Sequence, residues 1–173
     1  MAETNLSPLE AYEKYAALGP DFLTFLLVRV LEDEVPAPPS EPGLKVDIQG
    51  PMLFTGDEGE ARKVTLAGEE AAGAPEVLSA LRQGKRLRRA KLILTAVTDT
   101  YAFTIDADTF DLKGIKLPVP PIPDLDEYLS MRVQSTQRLH QLVDELFEGF
   151  LQVRLTPDEW KAELARWKKL AKG

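Results

Sequence analysis

The run Leu87-Arg88-Arg89-Ala90-Lys91-Leu92-Ile93-Leu94-Thr95-Ala96-Val97 is followed by Thr98-Asp99-Thr100 and then by Tyr101-Ala102-Phe103-Thr104-Ile105. Two apolar and β-forming runs around so short a polar break read as adjacent antiparallel strands. In a regular strand Arg89 and Lys91 share one face, and Arg88 looks the other way with Ala90 and Leu92. Downstream, Phe110 to Leu117 adds an edge strand. Upstream, Leu44 to Gln49 alternates at period two, with Leu44, Val46 and Ile48 on one face, as in a half-buried strand. Met52-Leu53-Phe54 continues after Pro51, Thr55 to Gly59 is a turn, and Arg62 to Leu66 is another short strand. Pro75 to Gln83 forms a short helix closed by Gly84.

Helices precede and follow these strands along the chain. Ser7-Pro8-Leu9-Glu10 carries a capping box and starts a helix that stops at Gly19. Pro20-Asp21 opens a second helix, Phe22 to Leu31, apolar around most of its circumference and therefore buried on more than one side. The linker Val35 to Gly43 holds four prolines within eight residues, which forbids a helix or a central strand. A second proline-rich joint spans Pro118 to Pro123. Asp124 and Glu127 then form a capping box for a long helix to about Arg154, with the stripe Leu125, Leu129, Val133, Thr136, Leu139, Val143, Leu146, Phe147 and Phe150. Thr156-Pro157-Asp158-Glu159 starts a last helix with the stripe Trp160, Leu164, Trp167 and Ala171. Segregated helices and strands indicate an α+β fold, a central antiparallel sheet with N-terminal helices, a long C-terminal helix and a terminal helix. Residues 1–117 form the α+β core and 124–173 a helical segment packed on the same domain.

Composition narrows the chemistry. The 173 residues include no cysteine, so disulfides and thiolate metal sites are excluded, and a reducing cytoplasm is the expected location. No apolar run approaches the ~20 residues of a membrane span. Net charge is −7, but residues 1–60 hold 3 Lys/Arg and 12 Asp/Glu while residues 61–173 hold 18 and 16. The acidity is an N-terminal property.

The single histidine, His140, sits mid-helix, and no Gly-x-Ser-x-Gly exists, so nucleophilic triads fail for want of partners. Gly84-Lys85 lacks the earlier glycine and the following Ser/Thr of a phosphate loop. Asp106 and Asp108 are the best acidic pair: on a strand they would share a face, as Mg²⁺ ligands or as an ordinary charged turn. No cofactor is expected. The most distinctive polar feature is Arg82, Lys85, Arg86, Arg88, Arg89 and Lys91, six cations in ten positions with no acid among them. They read as a phosphate-contacting patch, or as a solvated helix end that pairs with the acidic N-terminal third. In the last helix Lys161, Arg166, Lys168, Lys169 and Lys172 accompany Trp160 and Trp167, whose spacing is that of a core stripe.

Several segments resemble one family. Leu18-Gly19-Pro20-Asp21-Phe22-Leu23-Thr24-Phe25-Leu26 is similar to the Leu-Gly-x-x-Phe-Leu-Thr-aromatic-Leu signature of the recombination-associated protein RdgC family. Ala80-Leu81-Arg82-Gln83-Gly84-Lys85, with Ala90-Lys91-Leu92 after it, resembles that family's Ala-Leu-x-x-Gly-Lys segment and following strand. Gly114 to Pro118 and Leu146 to Leu151 fit in order. The resemblance, in a shortened form, implies a non-enzymatic protein that binds duplex DNA with little sequence preference, forms ring-shaped homodimers and restrains recombinase filaments. It points to Lys85 and its basic neighbours as the DNA contact. Two other readings stay open: a protein-interaction or structural module built on the long helix or the acidic N-terminal third, and a metal-dependent nuclease at Asp106 and Asp108.

Overall fold

A computed structural model describes residues 18–56, 64–66 and 73–172. Its elements are α1 (Leu18–Leu31), β1 (Lys45–Thr55), β2 (Val64–Leu66), α2 (Pro75–Arg82), β3 (Arg86–Thr95), β4 (Thr100–Asp106), β5 (Leu112–Lys116), α3 (Leu125–Arg154) and α4 (Pro157–Lys172). The expected helix at Ser7, the tip of the turn after Thr55 and the start of the Arg62 strand lie outside the described residues.

The five strands form one antiparallel sheet in the order β2-β1-β3-β4-β5. The fold is α+β. β3 and β4 pair from Arg89–Asp106 to Thr95–Thr100, around the expected turn. Alternation then sorts the side chains. Ile48, Met52, Phe54, Ala90, Leu92, Leu94, Tyr101, Phe103 and Ile105 point to one face and are all buried. No described residue on the opposite face is buried. Burying one face and wetting the other is the common state of an antiparallel sheet.

Helix α1 fills the layer behind the buried face, and every residue from Gly19 to Val28 is buried. An apolar circumference demands cover on both sides. The sheet supplies one side, and Phe150 of α3 supplies the other, 5.6 Å from Phe22 and 5.4 Å from Phe25 between ring centroids. Gly19 does not end a helix. It lies inside the first turn of α1 together with Pro20, where a proline is tolerated because a backbone N–H at that position would have no intrahelical acceptor. A Cβ at Gly19 would stand 1.8 Å from the Ala107 carbonyl oxygen, so close approach of helix to strand end is what requires glycine there.

Helix α3 begins as its capping residue directs: Asp124 accepts from the N–H groups of Asp126 and Glu127. Its buried face differs from the expected stripe. Leu139, Leu142, Leu146 and Phe150 are buried, whereas Leu125, Leu129 and Val133 are 66%, 49% and 57% exposed. Helix α4 packs as its stripe predicts, with Trp167 and Ala171 buried and Trp160 and Leu164 against the core.

Two ion-pair clusters tie α4 and the end of α3 to α1. Asp21, almost fully buried, accepts from Arg86 Nε and Arg154 Nε at 3.2 Å each. Those guanidinium groups lie over Trp167 and Trp160, at 5.0 and 4.8 Å from the ring centroids. Glu163 is buried too, and takes Arg29 through both oxygens at 2.7 and 3.2 Å and the Trp167 indole N–H at 3.1 Å. Bidentate geometry and a third donor satisfy a carboxylate that burial would otherwise penalise.

Candidate nucleic-acid interface

The six cations between positions 82 and 91 do not form one surface. Arg82 donates from Nε and Nη2 to the Ala171 carbonyl at 3.0 and 2.7 Å, closing the end of α4. Lys85 is buried. Arg86 belongs to the Asp21 cluster. Arg88 pairs with Asp108 at 2.6 Å and donates to the Thr55 hydroxyl. Arg89 pairs with Asp106 at 3.3 Å. Lys91 has no ion-pair partner among the described residues.

The sheet register explains the scatter. Phe54 pairs with Leu87 and Leu53 with Arg89, so Arg88 is an extra residue in β3, a bulge. The bulge resets the alternation: Leu87 and Ala90 both reach the core, although three positions separate them. Arg88 therefore does not share a face with Ala90 and Leu92, as a regular strand would require. Arg89 and Lys91 do share the open face.

That open face carries cations outside the 82–91 stretch. Cross-strand pairing aligns Gln49, Lys91, Thr104 and Lys113 in one row across four strands. The next row is Asp47, Ile93, Ala102 and Lys116, and the third is Lys45, Thr95 and Thr100. Lys113 and Lys116 are three positions apart and would point oppositely in a regular strand. β5 is irregular between them, where Gly114 has φ of 60°, and this puts both opposite outward residues of β4. Lys45, Lys91, Lys113 and Lys116 have no ion-pair partner among the described residues. Asp47 is the one carboxylate in these rows, and it accepts from the Ile48 N–H and the Gln49 side chain. The three added lysines had local signals: a glycine inside an edge strand marks a bulge, and Lys45 alternates against Leu44 and Val46.

Asp106 and Asp108 are engaged otherwise than as metal ligands. Burial raises the Asp106 pKa, but the Asp108 N–H, which it accepts at 2.9 Å, and Arg89 outweigh this and hold it below its ordinary value. No group of three or more His, Asp or Glu side chains among the described residues is placed to hold a metal ion. His140 is exposed on α3. No described helix is long and apolar enough to cross a membrane. The chain matches no family model, no curated protein and no solved structure, so the residues described above carry the functional reading.

Proposed function

We propose that the chain is a non-enzymatic DNA-binding protein of RdgC-like type that contacts duplex phosphates through the open face of its sheet. One observation supports this above the others: Lys45, Lys91, Lys113 and Lys116, from β1, β3 and β5, share a face that no described element covers, with a single carboxylate in the same rows. The threonine hydroxyls between them are further donors to phosphate oxygens. Phosphate contacts position a protein on DNA without reading sequence, which suits the low sequence preference that the resemblance implies. With a net charge of −7 on the whole chain, the local excess of lysines orients the molecule to approach DNA by this face. Modulation of recombination is the setting that the resemblance supplies.

The test is a salt titration of duplex binding by fluorescence anisotropy. Four phosphate contacts give log Kobs against log salt a slope of about −3.5. Each of Lys91→Gln, Lys113→Gln and Lys116→Gln is expected to shallow it by about 1. Arg88→Ala with Arg89→Ala is expected to leave it nearly unchanged, because those charges are already paired. Absence of binding at ~50 mM salt, or a triple lysine variant with the wild-type slope, overturns the proposal.

The exposed stripe Leu125, Leu129 and Val133 favours a second reading, self-association or a protein contact through α3. Light scattering at ~100 μM should then show a dimer that Leu129→Arg dissociates, and a monomer at that concentration, well above a micromolar Kd, removes the self-association form of it.

A further inference from the structure

The groove between α2 and α4 has a composition that the DNA reading leaves unused. Leu81, Leu164, Trp167 and Ala171 make its apolar wall, around a cavity of about 220 Å³. Arg82, Arg86, Lys168 and Lys172 line it as well, and no carboxylate of the described residues does. Most of these charges are not consumed nearby. Arg86 shares Asp21 with Arg154, while Arg82, Lys168 and Lys172 have no ion-pair partner among the described residues. Cations at helix C-termini have a structural role of their own, and α2 and α4 both end here. Each helix end supplies only about −0.5 charge. Three cations with no ion-pair partner among the described residues exceed that, so the described part of the groove carries net positive charge.

Volume decides what kind of ligand fits. Small-molecule and cofactor sites usually occupy roughly 300–1,000 Å³. A cavity below that range takes a side chain rather than a cofactor. We infer that the α2–α4 groove is a docking site for an acidic peptide segment, seating one apolar side chain on Trp167 and Leu164 with flanking carboxylates on Lys168, Lys172 and Arg82. Arg82 is preorganised for this role, because its bond to the Ala171 carbonyl fixes the guanidinium before any ligand arrives. The inference is independent of the DNA reading, since its residues lie on helices and not on the open sheet face.

The chain has two tryptophans, so a Trp160→Phe background leaves Trp167 as the sole indole emitter. The probes are capped pentapeptides of Asp and Glu around a central Leu, Phe or Ala. The Leu and Phe peptides are expected to shift Trp167 emission saturably, and the Ala peptide to bind at least tenfold more weakly. Lys168→Glu with Lys172→Glu, both at exposed positions, should weaken the Leu and Phe peptides at least tenfold. Lys91→Gln should leave peptide binding unchanged while weakening DNA binding, which separates this site from the sheet face. No emission change with Leu or Phe peptide up to ~1 mM, a concentration that would reveal even millimolar affinity, overturns the inference. Equal response to the Ala peptide, or indifference to the double charge reversal, does so too.

Discussion

Single residues carry much of the order in this molecule, and several do so through partners far away in sequence. Gly19 and the Ala107 carbonyl are 88 positions apart, so nothing local separates a glycine that ends a helix from one that lets a helix touch a strand. Gly19→Ala is expected to cost about 1–3 kcal/mol by overpacking, read as a fall in urea midpoint. Gly43, with nothing within 4 Å of its Cβ position, should accept alanine without loss. Asp21 and Glu163 were equally silent, since burial of a carboxylate is a tertiary property. Asp106 offers a pH test. Its folded pKa lies below the ordinary 3.8, so the stabilisation from its ionised form is full above that value and is lost as pH falls through the lower, folded one. Asp106→Asn should lower the urea midpoint at pH 6, and the gap from wild type should close as pH falls below 3.8.

At the scale of elements, period was legible and register was not. The β3–β4 hairpin, the half-buried β1, the edge strand β5 and the ends of α3 all follow from alternation, turns and caps. The bulges at Arg88 and near Gly114 depend on which strands pair, and they decide which cations share a face. The α3 stripe shows the same limit. Steps of four residues from Leu125 to Leu129 to Val133 advance about 40° each around a helix, so that row winds away from the core. The series Tyr128, Met131, Ser135, Leu139, Leu142 and Leu146 mixes steps of three and four and stays on the core side, half-buried and then buried. Leu142→Ala is therefore expected to cost about 2–5 kcal/mol and Leu129→Ala no more than about 0.5 kcal/mol, by parallel denaturation curves.

For the whole molecule, the α+β class was readable, because it rests on the summed pattern of segregated helices and strands. The candidate interface was readable only in part. Arg89 and Lys91 belong to the open face, and Lys45, Lys113 and Lys116 join them through pairing that spans most of the chain. Arg82, Arg86 and Arg88 are instead held by placed acceptors, the Ala171 carbonyl, Asp21 and Asp108, which suit the guanidinium fork. The burial of α1 also has a kinetic side. Phe150 covers the side of it that faces away from the sheet, and its Arg29 is neutralised by Glu163, 134 positions later. At typical rates of roughly 5–20 residues per second, a nascent chain carries this apolar helix for roughly 10 s before its partners emerge. During that interval α1 is a target for chaperones and for aggregation.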